Sequence, residues 1–146
     1  MEVNLKGDWF IKLYGPDGIL KDSRESHNVV VTVGKEFLAS FMYSAALAPS
    51  TFTMKYMAVG SDTTAEVVGN TALGVELGRH TGTAGNTGAI YTVVATFAAG
   101  SGTGAISEYG ILSSNTGGTL FNRLTTAVVN KGASDTLTVT ANLTIS

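Results

Sequence analysis

The chain has 146 residues, of which 44% are hydrophobic and 14% charged, with a formal net charge of −2 and no cysteine. That hydrophobic content excludes a wholly disordered chain. Near-neutrality with no basic run excludes non-specific binding to nucleic acid, which needs several cations to displace phosphate counterions, and the lack of cysteine excludes disulfides and thiolate sites. The segment Met1 to Trp9 lacks the basic region and apolar core of a signal peptide, and no apolar run approaches the ~18 residues of a membrane span, so the expectation is synthesis in a cytoplasm and no membrane partner. A length of 146 residues suits one domain with one core, here read as residues 1–146. The balance of Gly, Ala, Ser, Thr and Asn favours sheet, turns and contact with protein surfaces.

Residues 1–8 are expected to form an extended N-terminal arm. Trp9 to Tyr14 is an apolar, β-prone run, and Gly15-Pro16-Asp17-Gly18 is a strong turn signal before Ile19-Leu20, so the first element reads as a hairpin. The polar segment Lys21 to Asn28 leads into a short strand, Val29 to Thr32. From Gly34 the period changes: Phe37, Leu38, Phe41 and Met42 recur at helical spacing opposite Lys35, Glu36 and Ser40. This helix is expected over residues 34–46, ended by Leu47-Ala-Pro49-Ser50, and covering one end of a sandwich.

Strand character returns from Thr53 to Val59, followed by a loop, Gly60 to Thr64, in which Asp62 or the threonines can bond nearby amides. Ala65 to Gly88 contains six glycines and reads as a long irregular section pinned by Leu73 and Leu77. Ile90 to Phe97 alternates as a strand, and Ala98 to Gly104 is a turn. Ala105 to Leu124 then places two apolar runs around a turn containing Gly117-Gly118, a second hairpin. In the last strand Leu137, Val139, Ala141, Leu143 and Ile145 alternate strictly with Thr and Asn, giving one buried face. Strands at this spacing with one inserted helix predict a mainly β fold: an antiparallel β-sandwich, with a jelly roll as one form of it and a partly open barrel as the runner-up.

Chemistry is sparse. His27 and His80 both fall in expected polar loops without a second histidine to complete a metal site. No serine sits in a Gly-x-Ser-x-Gly elbow. Gly100-Ser-Gly102-Thr-Gly104 joins two strands and lacks the helix and lysine of a phosphate loop. Asp62 with Glu66, or Asp17 with Asp22, lacks the dense acidic spacing of a calcium loop. No catalytic residue, cofactor or metal is therefore assigned. The constellation that remains is Glu76, Arg79, Glu108 and Arg123, charges set in apolar surroundings that need partners. Arg123 is the simplest partner for Glu108, and Glu76 can pair with Arg79 across one turn. The favoured reading is a set of structural ion pairs fixing the long loop to the hairpin, ahead of an acid/base site.

A wider pattern runs through Lys55-Tyr-Met-Ala-Val-Gly60, Thr71-Ala-Leu73-Gly74-Val-Glu76-Leu77-Gly78-Arg79, Ile106-Ser-Glu108-Tyr-Gly110-Ile-Leu, Leu120-Phe-Asn-Arg123 and a Thr/Val-rich last strand. Over the last two thirds of its length the chain resembles small virion structural proteins of tailed double-stranded DNA bacteriophages, with Tyr109 and Ile111 standing where Ala and Leu are more usual. The resemblance implies no catalytic residues. It implies a capsid decoration (cement) protein on the capsid surface that binds the major capsid protein lattice as a homo-oligomer, a trimer ahead of a dimer, and stabilises the mature head. A tail, neck or fibre-associated protein, which could be a carbohydrate-binding module, is the alternative. Expected partner contacts are Leu5 and Trp9 near the N-terminus, and His80 and Asn86 around the Gly/Thr-rich loop from Thr81 to Gly88.

Overall fold

A computed structural model describes residues 2–43 and 54–146. Among the described residues ten strands and one helix follow in chain order: β1 (Leu5–Tyr14), β2 (Leu20–His27), β3 (Val29–Val30), α1 (Thr32–Tyr43), β4 (Tyr56–Gly60), β5 (Glu76–Thr81), β6 (Thr83–Thr87), β7 (Ile90–Phe97), β8 (Gly104–Leu112), β9 (Leu120–Lys131) and β10 (Thr136–Ile145). They form two five-stranded sheets, β2-β1-β10-β7-β6 and β3-β9-β8-β4-β5, and every pairing is antiparallel. The molecule is a β-sandwich with one short helix. Its hairpins β1–β2, β4–β5, β6–β7 and β8–β9 alternate between the sheets, whereas in a jelly roll single strands do.

Period-two alternation builds the core between the sheets. The first sheet contributes Trp9, Ile11 and Leu13 of β1, Val93, Ala95 and Phe97 of β7, and Leu137, Val139 and Ala141 of β10. Met57 and Val59, Ile106, Tyr109 and Ile111, and Leu124 and Val129 face them from the second sheet. The inward residues of β8 change phase between Ile106 and Tyr109. A bulge causes this: Ile106 pairs with Val129, but Glu108 pairs with Thr125. From there Glu108, Gly110 and Leu112 point away from the central core.

That outer face of the second sheet is covered too. A small second core of Val31, Ala58, Leu73, Leu112 and Leu120 lies there, beneath the loop 61–75 and beside the start of α1. The Thr32 amide bonds the Val68 carbonyl (2.7 Å), tying the helix start to the same loop. At Gly34 a Cβ would lie 2.3 Å from the Phe121 carbonyl oxygen, so the helix crosses β9 at backbone contact.

Several sequence expectations are corrected. Residues 5–8 are no arm, because Leu5 to Asp8 pair in register with Ile145 to Asn142. Lys21 to His27 belongs to a strand, not a polar connection; as an edge strand exposed along alternate residues, β2 needs only backbone pairing with β1. The long irregular section contains β5 and β6, whose small and polar residues carry no apolar alternation to announce them. Leu73 is buried beneath the loop, but Leu77 is 38% exposed and does not pin it. Ile145 is likewise exposed, at 41%. The helix begins at Thr32, two residues early; its expected end near residue 46, the Leu47-to-Ser50 break and the start of the next strand at Thr53 lie outside the described residues.

Candidate functional site

The bulge, whose extra residues lie on β9, and the absence of a side chain at Gly110 bring Glu108 and Arg123 together diagonally across the β8–β9 ladder, where Gly110 sits opposite Arg123. Both are buried, at 0% and 2% exposure. Arg123 Nε donates to Glu108 Oε2 at 3.0 Å, and Nη2 lies 2.9 Å from the same oxygen. The carboxylate is then filled by backbone: Gly74 N–H donates to Oε2 (2.8 Å), and Val75 and Asp62 N–H donate to Oε1 (2.7 and 3.3 Å). Arg123 completes its own set with Nη1 on Asn70 Oδ1 (3.2 Å) and Nη2 on Asp62 Oδ2 (3.3 Å).

The loop 61–75 is thus held by one buried carboxylate and one buried guanidinium at both ends and in its middle. Nearby groups complete the arrangement. Ser107 Oγ donates to the Asp62 carbonyl (2.9 Å), and the Ser61 amide to the Val75 carbonyl (2.9 Å). Asp62 Oδ1 accepts the Thr64 amide and hydroxyl. Those two bonds, and then the Arg123 charge, hold the Asp62 carboxyl below the ordinary carboxylate range. Glycines leave room for it all: a Cβ at Gly60 would sit 2.3 Å from Glu108 Oε1, and one at Gly74 2.0 Å from Asp62 Oδ2.

Glu76 and Arg79 form a separate pair nearer the surface. Arg79 Nε and Nη2 meet the two carboxylate oxygens at 2.8 and 2.7 Å, and Nη1 reaches the Ser114 and Gly117 carbonyls in the β8–β9 turn at 2.9 and 2.7 Å. This arginine ties β5 to the hairpin tip. The four charges therefore make two clamps, one buried and one superficial, and both are engaged with backbone.

The expected partner contacts separate. Trp9 is wholly buried in the central core with its Nε1–H on Asn28 Oδ1 (2.7 Å), so it is no docking residue; its position in β1 faces it inward. Leu5 packs, half-buried, against Val30, Phe121 and Leu143 at one end of the sandwich. His80 lies on β5, not in a loop, bonded through Nε2 to Ser101 Oγ and edge-on to Phe97 at 4.9 Å. His27 lies on β2, its Nδ1 2.6 Å from Asp8 Oδ1. Asn86 is exposed on β6. Among the described residues no His, Cys, Asp or Glu side chains converge as a metal site, and no helix is long and apolar enough to cross a membrane.

A further polar cluster escaped the sequence reading. Asp135 is buried in the β9–β10 turn, where it receives Lys21 Nζ at 2.9 and 3.0 Å and the Gly132 amide at 2.8 Å. These bonds hold its carboxyl below the ordinary value. Lys131, 2% exposed, donates to the Ala98 carbonyl (3.0 Å), and burial pulls its ammonium below the usual lysine range. Asp135 lies four residues beyond Lys131, across a turn, but Lys21 comes from a strand 114 positions away and left no local signal. Compared with known protein families, with curated proteins and with solved structures, the chain matches none.

Proposed function

We propose that this protein is a non-catalytic structural component of a tailed-phage virion, most specifically a capsid decoration protein that binds the mature head lattice as a homo-oligomer. The observation that carries the reading is the buried clamp. Glu108 and Arg123 are engaged with Gly74, Val75, Asp62 and Asn70 of the chain itself, and the loop they hold presents Val67, Val68 and Val75 at 56, 55 and 52% exposure. Apolar side chains fixed on a stiff, outward-facing loop suit contact with another protein surface, since little ordering entropy remains to oppose docking. A decoration protein needs no chemistry beyond this: binding only the expanded lattice stabilises that lattice by mass action, and many copies multiply a modest affinity.

The test is co-sedimentation of the purified protein with heads of the virus that encodes it, before and after expansion. Binding to expanded heads, weakened by Val67→Asp and Val68→Asp together, supports the reading. No binding to heads, with the protein located by electron microscopy on tail, neck or fibre, overturns it.

A further inference from the structure

Four strands end the two sheets: β2 and β6 in the first, β3 and β5 in the second. Three of these edges are guarded. β2 carries Lys21, Asp22, Arg24 and Glu25, β3 is only two residues long, and β5 carries the Glu76–Arg79 pair. Charge and shortness are how proteins keep an exposed edge from pairing with another chain. β6 has neither defence. Its sequence, Thr83-Ala-Gly-Asn-Thr87, contains no charge and no proline, it pairs with β7 without a register shift, and Thr83, Gly85, Asn86 and Thr87 are all exposed. Among the described residues β6 is bonded to β7 alone, so the backbone groups on its far side face outward.

The strand is also complementary to itself. Antiparallel pairing of two copies about a twofold axis at Gly85 sets Thr83 against Thr87 twice and Ala84 against Asn86 twice. No like charges meet, and Thr–Thr is a favourable cross-strand pair. Pairing of β6 with the charged β2 of another copy would instead leave four charges opposite neutral residues. Beside the edge, the missing side chain at Gly85 leaves an open recess of about 390 Å³ lined by Thr83, Thr87, Thr92 and Val94, into which the side chains of an added strand can lean.

We propose that β6 is a self-association edge: a second copy of this chain adds its own β6 antiparallel, centred on Gly85, and joins two five-stranded sheets into one continuous sheet across a twofold axis. The occupant is a second copy because the edge is neutral throughout and, reversed about Gly85, it sets threonine against threonine at both ends. The contact does not rest on the virion reading: it is measured on the isolated protein, and its failure leaves head binding untouched.

Substitutions at Gly85 test it, since a Cβ there meets nothing within 4 Å and the backbone is outside the left-handed region. In a chain without cysteine, Gly85→Cys places two thiols directly opposite each other, at the Cα separation an antiparallel pair shares with disulfides. Under mild oxidation it is expected to cross-link to a dimer within the folded protein, whereas Ser23→Cys on β2 does not. By sedimentation equilibrium, Gly85→Lys and Gly85→Asp should each raise the dimer dissociation constant roughly fivefold or more. Their equimolar mixture should restore the dimer at low salt and lose it as salt is added. The proposal is overturned by a wild-type protein that stays monomeric at high concentration, by a threefold mass, or by a Gly85→Cys variant that cross-links no faster than Ser23→Cys.

Discussion

At the scale of single residues, Glu108 decides more than any other side chain, because one carboxylate neutralises a buried guanidinium and terminates three backbone amides. Removing it leaves Arg123 as a buried charge facing, among the described residues, Asp62 and Asn70. Glu108→Ala is expected to cost about 3–5 kcal/mol in urea unfolding, a large share of the ~5–15 kcal/mol typical of a domain. Amide exchange in residues 61–75 should quicken, and the loss on adding Arg123→Leu should be much smaller than the sum of the two single losses. An unchanged exchange pattern in the loop would sink the clamp. Acid sensitivity belongs to this scale as well. The carboxyls of Asp62 and Asp135 lie below their ordinary value of 3.8 in the folded state, so their stabilising contribution is present above that value. It is lost as pH falls from about 3.8 through the lowered folded values, because the unfolded chain takes up protons first. Asp135→Asn, by removing one such group, should flatten the decline of melting temperature between pH 5 and pH 2 in a calorimetric series, roughly in proportion to its share. The isolated charges at 108 and 123 were legible as groups needing partners, and so was their mutual pairing. The amides of Gly74 and Val75 were not, since nothing in their own side chains marks a backbone as an acid's ligand.

Among the elements, the connections that carry the chain from one sheet to the other hold the architecture together. Between β5 and β6 the chain leaves the second sheet for the first at Gly82, whose amide bonds the Lys55 carbonyl at 2.7 Å. A Cβ there would stand 2.6 Å from Val93 Cγ1 and 2.9 Å from the Lys55 oxygen. Gly82→Ala is therefore expected to destabilise the fold by about 1–3 kcal/mol, seen as a lower urea midpoint at constant slope. Gly69→Ala, with nothing within 4 Å of its Cβ, serves as the neutral control. Central strands were readable from their alternation: β1, β7 and β10 each bury one face, and the residues doing so recur at every second position. The edge strands β2, β5 and β6 were not. An edge strand is held by backbone bonds to one neighbour and buries few side chains, so its residues are free to look like a loop.

For the whole molecule, the central core drawn from both sheets implies one cooperative unit, and Trp9 reports on it. As the chain's single tryptophan, wholly buried against Tyr109 at 6.3 Å between rings, it should emit as a buried indole until the sandwich opens. Its fluorescence change and the far-UV circular dichroism should follow one coincident urea transition, and separate midpoints would mean that the two sheets come apart in steps. Trp9→Ala should cost about 3–5 kcal/mol by the same measurement, through the cavity and the lost bond to Asn28. By itself the sequence determined the mainly β sandwich, the helix that follows β3, the hairpin from Ala105 to Leu124 and the inward face of β10 from Leu137 to Leu143, because those follow from local periodicity and turn chemistry. Only the tertiary structure decided that Trp9 is core and not a docking residue, that backbone amides of Asp62, Gly74 and Val75 fill the Glu108 carboxylate, and that Lys21 reaches Asp135. Each of these depends on which distant segments pack against one another, and burial, hydrogen-bond partners and edge position come into being only when the sheets close.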